Sequence, residues 1–263
     1  MPDHERAQIN NNKIVGKKYI STFKVVSNFS KNVYICIDMI TSRTYHSLNL
    51  DIAPFDSSSI IYVLLPQRLP EEDLACVEEM SSRFRSTIVA ISGMDWNSDL
   101  TPWKAPAVKE GEFGGNAVQF MERLKEDLFF NLENSLHIIK PKRYIMGLSL
   151  AGLFAVWAAV WKPLFEGAAS ISGSFWYDGF IDWLHKQNEL HCVRFYVSMG
   201  EKEKETKVKR FANIEEDTMK VVETLMAKGA EVAFEMTEGG HNSPVIPRIE
   251  KSMISLFGNQ QCN

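Results

Sequence analysis

From residue 59 onward the chain alternates short, unbroken apolar runs with longer segments whose apolar positions recur every three or four residues. The runs SIIYVLL (59–65), STIVAIS (86–92), RYIMGLS (143–149), GAASIS (167–172), VRFYVSM (193–199) and EVAFEMT (231–237) have strand length, as expected of strands covered on both faces. Between them, PEEDLACVEEMSSRF (70–84), GGNAVQFMERLKEDLFFNLENSL (114–136), AGLFAVWAAVW (151–161), RFANIEEDTMKVVETLMAKG (210–229) and PVIPRIEKSMISLF (244–257) predict helices. The punctuation agrees: Pro70 and three acids open the first helix, Pro163 stops the third and Gly229 closes the fourth. Such alternation implies right-handed crossovers and a mainly parallel sheet with helices on both faces, an α/β fold.

The N-terminal part reads differently. YISTFKVVS (19–27) and NVYICIDMI (32–40) flank the turn-like NFSK, and SLNLDIA (47–53) offers a third strand, so an antiparallel opening is expected. Residues 1–17 read as a polar tail, leaving a single domain over 18–263. Two long connections follow strands: GMDWNSDLTPWKAPAVKEGEFGG (93–115) and SGSFWYDGFIDWLHKQNEL (172–190). In open parallel sheets ligands lie beyond the carboxyl ends of the strands, where such loops gather. Trp96, Trp103, Trp176 and Tyr177 are therefore candidates to line a substrate pocket, or else they fill a secondary core under the loops.

Composition narrows the partners. The net charge of −4 is spread without a basic stripe, which excludes the electrostatic footprint of a nucleic-acid binder. No segment reaches the roughly 18 apolar residues of a membrane span, and the polar N-terminus lacks a secretory apolar core, so a cytoplasmic location and no membrane partner are expected. The four cysteines are far apart and form no CxxC pair, so they read as free thiols.

The chemistry concentrates where RYIMGLS meets LAGLFAVWAA. A bare Gly-x-Ser is common, but here it stands at a strand-to-helix junction with Gly147, Ala151 and Gly152 beside Ser149. A turn sharp enough to project a serine demands small neighbours, because Cβ atoms would collide with the adjoining strand and helix. The same turn aims the backbone N–H of Leu150 at an oxyanion forming on a carbonyl attacked by Ser149. A serine hydroxyl needs a base, and the base needs an orienting acid. His241, in TEGGHNSP just after a predicted strand, is the candidate base; His4, His46, His137, His185 and His191 have no comparable setting. The acid should follow another strand end. GEKEKE supplies Glu201, Glu203 and Glu205; Glu203 is the choice, with Glu201 and Asp178 as alternatives. The order serine, acid, histidine is that of α/β-hydrolases.

YICIDM, IIYVLL, SDLTPW, GGNAVQFMERLKEDL, YIMGLSLAGLFAVWA, SISGSFWYD, VSMGEKE and GGHNSP, in that order, resemble the Putative esterase family, which includes the enterochelin (ferric siderophore) esterases. The resemblance extends over nearly all the chain after about residue 18 and is closest to compact members without an extra N-terminal domain. It implies an α/β-hydrolase fold, no metal or organic cofactor, and hydrolysis of a small-molecule carboxylic ester or lactone, including siderophore trilactones. By the same resemblance Ser149 is the nucleophile, His241 the base and Glu203 the acid. Three departures stand out. Leu65-Pro66 replaces the family's Asp-Gly, which removes an N–H where a second oxyanion donor is expected and leaves Gln67 as the substitute. Trp96 stands where many members have an Arg, and the elbow reads Gly-x-Ser-x-Ala. Two other outcomes stay open on the same scaffold: an acyltransferase, as in the related mycolyltransferases, and a siderophore-binding module without turnover.

Overall fold

The computed structural model describes residues 17–18, 40–45, 47–192 and 194–258. The strands expected at 19–27 and 32–39, and residues 1–16, lie outside the described residues. Among the described residues, strands β1 (Lys17–Lys18), β2 (Thr41–Tyr45), β3 (Leu48–Ala53), β4 (Ser59–Leu64), β5 (Thr87–Ser92), β8 (Lys142–Leu148), β9 (Gly167–Ile171), β10 (Arg194–Gly200) and β11 (Glu231–Thr237) form one nine-stranded sheet, ordered β1-β2-β3-β5-β4-β8-β9-β10-β11. The first three strands join antiparallel, and from β5 through β4 to β11 every pairing is parallel. This is the mainly parallel α/β sheet that the sequence pattern predicts, with the antiparallel part at the N-terminal end, and it is the α/β-hydrolase fold that the family resemblance implies.

Period-two alternation along each central strand feeds two cores. Ile60, Tyr62 and Leu64 of β4 face one layer, formed by α2 (Ala117–Leu124), α4 (Leu150–Trp161) and α6 (Ile214–Ala227). Ile61, Val63 and Leu65 face the other, formed by α1 (Glu71–Phe84) and α7 (Val245–Phe257). Helix α4 is buried nearly all round, from Leu150 to Val160, which explains an apolar sequence with no polar face. The chain runs from β4 outward to β5 and then crosses back to β8 on the other side of β4, so the topological switch lies between β4 and β8.

Three features go beyond the sequence pattern. The predicted helix over 114–136 is α2 followed by a π-helical stretch (Lys125–Leu132) and the short α3 (Glu133–Ser135). Past that stretch the Glu133 carboxylate is buried, accepting hydrogen bonds from Tyr62 Oη at 2.7 Å and Arg143 Nε at 2.6 Å. The first long connection carries a two-stranded ribbon, β6 (Ala105–Pro106) with β7 (Glu112–Phe113), and the second carries α5 (Phe180–His185). Cys76 is exposed and Cys192 buried, both as free thiols, and burial pushes the Cys192 thiol up to about 11. Among the described residues no helix is long and apolar enough to cross a membrane.

Candidate active site

Strand β8 ends at Leu148 and α4 begins at Leu150, leaving Ser149 alone in the turn with φ 60° and ψ −122°. That backbone is costly for any residue with a Cβ, on the order of 1–3 kcal/mol, and strained serines of this kind mark nucleophile elbows. The neighbours hold it in place. Ser149 N–H donates to Ile171 O at 3.0 Å, and its carbonyl accepts Leu153 N–H at 3.0 Å and Ser174 N–H at 3.1 Å. The sharpness depends on the absent side chains: a Cβ on Gly147 would meet Ala151 Cβ at 2.5 Å, and one on Gly152 would meet Ser170 Oγ at 2.7 Å. Leu150 opens α4, so its N–H belongs to the first helical turn, whose amides have no intrahelical acceptor.

Two further segments converge on this turn. After β10 the chain makes a short 3₁₀ turn (Glu203–Glu205), and after β11 the Gly239-Gly240 pair carries it to His241. The two loops are stitched together, with Glu201 N–H donating to Thr237 O at 2.9 Å and Lys202 N–H to Gly239 O at 3.0 Å. Gly239 has φ 90°, a conformation that places the next residues over the β10 turn. As a result His241 Nδ1 lies 3.0 Å from Glu203 Oε2.

The Glu203 side chain is only 5% exposed, whereas that of His241 is 44% exposed. The other Glu203 oxygen, Oε1, accepts Gly200 N–H at 2.6 Å and the Ser172 hydroxyl. Burial alone would push this carboxyl up, but the hydrogen bonds from His241, Ser172 and Gly200 and the neighbouring imidazole hold it below the usual carboxylate range. With Nδ1–H donating to Glu203, His241 keeps Nε2 as its basic nitrogen.

Ser149, His241 and Glu203 line one cavity of about 320 Å³, together with Ser172, Ser174, Trp176, Lys202, Phe211 and Ile214 among others. Ser149 Oγ is 3.2 Å from Ser174 Oγ, and among the described residues no hydrogen bond joins it to His241. No cluster of three or more His, Cys, Asp or Glu side chains suited to a metal ion occurs among the described residues.

The remaining sequence candidates fall elsewhere. Glu201 and Asp178 are both exposed, and Asp178 pairs with Arg210 at 2.9 Å. Gln67 is exposed on the turn after β4, next to the β8 end, and is not part of the cavity lining. Of the four candidate substrate-binding aromatics, Trp176 lines the cavity and Trp96, Trp103 and Tyr177 do not. Tyr177 is 2% exposed and donates its hydroxyl to Trp103 O, while Trp103 Nε1 donates to Asp178 O at 2.8 Å. Trp103 and Tyr177 thus belong to the core under the loops, with rings 6.0 Å apart. Phe211, just before α6, and Ile214, its first residue, complete the apolar wall from a stretch that carried no signal beyond helical periodicity.

The sequence reading did not single out Ser172, Ser174 or Arg248. Arg248 was the legible one: in α7 it shares the buried stripe of Ile249, Ser252, Met253 and Leu256, and an arginine there demands partners.

Fold and site together define a protein of the α/β-hydrolase class with a serine on a strand-to-helix elbow. The family described as Putative esterase matches residues 76–245, and the chain belongs to it. A curated relative, the uncharacterized protein YbbA of Bacillus subtilis (strain 168), is 24% identical over 178 residues, covering 64% of this chain and 71% of that one. An IroE-like serine hydrolase from Shewanella oneidensis superposes with a TM-score of 0.66 at 15% identity, covering 85% of this chain and 78% of that one. Siderophore hydrolase EstA from Aspergillus nidulans superposes with a TM-score of 0.58 at 17% identity, covering 88% and 98%. At these identities the solved structures establish the shared fold.

Proposed function

We propose that the protein is a serine hydrolase of carboxylic esters or lactones that works through an acyl-enzyme on Ser149. The observation that carries this reading is the His241–Glu203 hydrogen bond in a cavity that also displays Ser149 on a strained turn. Ser149 Oγ attacks the ester carbonyl as His241 Nε2 takes its proton, and the Leu150 N–H faces the oxyanion. The imidazolium returns that proton to the departing alcohol. A water then gives a proton to Nε2 and attacks the acyl carbon; as the acyl–Oγ bond breaks, the imidazolium passes that proton to Oγ, releasing the acid and restoring the serine. Glu203 holds the imidazole tautomer and stabilises the imidazolium throughout.

The wall of Trp176, Phe211 and Ile214 suits an apolar or aromatic acyl group, and the cavity of about 320 Å³ is at the small end of ligand pockets. A substrate as large as a siderophore trilactone therefore places one ester arm in the cavity and leaves the rest outside. The likeness in fold to the siderophore hydrolase EstA supports that substrate class. The contact between the hydroxyls of Ser149 and Ser174 favours the second reading, a binding module without turnover.

Labelling with a fluorophosphonate, alongside turnover of a short-chain nitrophenyl ester and of iron-free and ferric trilactones, decides between them. Covalent modification at Ser149 and loss of turnover in Ser149→Ala are expected. An unmodified Ser149 in a protein that binds siderophore without cleaving it overturns the hydrolase reading.

A further inference from the structure

Arg248 is 4% exposed, and among the described residues no other Arg or Lys is as deeply buried. It stands in the first turns of α7 and reaches three separate elements. Its Nη2 donates to Ser172 Oγ at the end of β9 and lies 3.8 Å from Glu203 Oε1 in the turn after β10. Its Nη1 donates to the carbonyl of His241 at 3.4 Å. Ser172 sits between the two charges, accepting a hydrogen bond from the guanidinium and donating one to the carboxylate.

A guanidinium in such a place is hard to explain by stability alone. Desolvation of a buried ion costs several kcal/mol, and an apolar residue on this stripe of α7 is often the more stable choice. Nε of Arg248 is buried with no hydrogen-bond partner, so the charge is not even fully satisfied. What the arrangement does achieve is geometric: one side chain fixes the carboxylate that orients His241 and also the main chain that carries His241.

We propose that Arg248 is a positioning residue for the His241–Glu203 pair, acting on Glu203 through Ser172 and on His241 through its carbonyl. The proposal rests on the reading of His241 as the base.

Other charges face the same pair. Lys202 and Glu205 stand at the cavity, Glu201 and Glu238 are exposed on the two loops, and Lys204 pairs outward with Glu215 at 3.2 Å. Arg210 pairs with Asp178 beside Trp176. On the α7 side Tyr196 donates to Glu235 at 2.7 Å, Glu235 pairs with Lys251, and Glu250 pairs with Arg83. All these ionic groups are at least partly exposed and screened by water, whereas Arg248 is not.

The test compares wild type with Arg248→Gln, Arg248→Lys and Ser172→Ala, using nitrophenyl acetate turnover, thermal midpoint and proton NMR. In Arg248→Gln kcat should fall about tenfold, with KM little changed. Arg248→Lys keeps the charge but not the planar fork, so part of the kcat loss should remain. Folded Arg248→Gln enzyme with wild-type kcat overturns the proposal. If Arg248→Gln does not fold, Ser172→Ala decides: kcat should fall, and an unchanged kcat overturns the proposal. The strongly downfield Nδ1 proton of a histidine bonded to a carboxylate gives a readout independent of turnover. Its presence in wild type and weakening in the variants supports positioning even if Ser149 proves unreactive, whereas equal signals in all folded variants reject it.

Discussion

His241 Nδ1 and Glu203 Oε2 stand 3.0 Å apart although 38 residues separate them in the chain. The contact exists because β10 and β11 are parallel neighbours in register, Gly200 opposite Thr237, so that the loops leaving their carboxyl ends start side by side. One loop supplies a buried carboxylate and the other a half-exposed ring.

The contact makes Glu203 distinguishable from its neighbours. Glu203→Gln removes the charge that orients the imidazole and should lower kcat/KM by about 10²–10⁴-fold. Glu201→Gln and Asp178→Asn, at exposed positions away from the ring, should stay within about threefold of wild type. Steady-state kinetics on one nitrophenyl ester checks all three, and a larger loss in Glu201→Gln than in Glu203→Gln contradicts the assignment.

Acidification should act on the same carboxylate. The Glu203 carboxyl is held below the usual carboxylate range in the folded protein, so the unfolded chain binds its proton first as pH falls. Its contribution to stability is complete above the ordinary glutamate range, near pH 4.3, and disappears as pH drops through the lower folded value. Urea midpoints measured across that window should fall more steeply for wild type than for Glu203→Gln. Parallel curves would show that the carboxylate carries no such linkage.

Backbone strain at Ser149 predicts an inversion of a usual rule. In most positions glycine is less stable than alanine, but at φ 60° and ψ −122° only glycine is unstrained. Ser149→Gly should therefore be more stable than Ser149→Ala by about 1 kcal/mol, with both inactive. Denaturant midpoints of the two variants make the comparison directly.

Two of the tryptophans in the long connections, Trp103 and Trp176, should separate by kind of effect. Trp176 lines the cavity, so Trp176→Ala should raise KM for aromatic acyl esters with little loss of stability. Trp103 packs against Tyr177 and Trp183, so Trp103→Ala should cost on the order of 2 kcal/mol with KM nearly unchanged. Paired melting curves and Michaelis plots test this, and the reverse pattern would exchange the two roles.

The legible parts of the molecule are those whose signal is local. The turn from β8 to α4 is written in adjacent residues, because Gly147, Ala151 and Gly152 must be small where strand and helix nearly touch. The strands and helices follow from apolar periodicity, and the order of Ser149, Glu203 and His241 follows from them. What stayed hidden depends on aim. In GEKEKE each glutamate carries the same chemical signal, and only the 3₁₀ turn after Gly200 directs Glu203 inward. The aromatics of the long connections look alike in sequence, yet Tyr177 is buried beneath the loops while Trp176 meets the cavity. The π-helical stretch at Lys125–Leu132 has no periodicity of its own against the helix around it.

Among the described residues strand β11 is paired on one side only, at the rim of the sheet, and the loop bearing His241 hangs from it. A rim strand can fray while the centre of the sheet stays intact. Function and fold should therefore be lost at different thresholds: mild heating should silence the protein first, and cooling should bring it back before any aggregate forms.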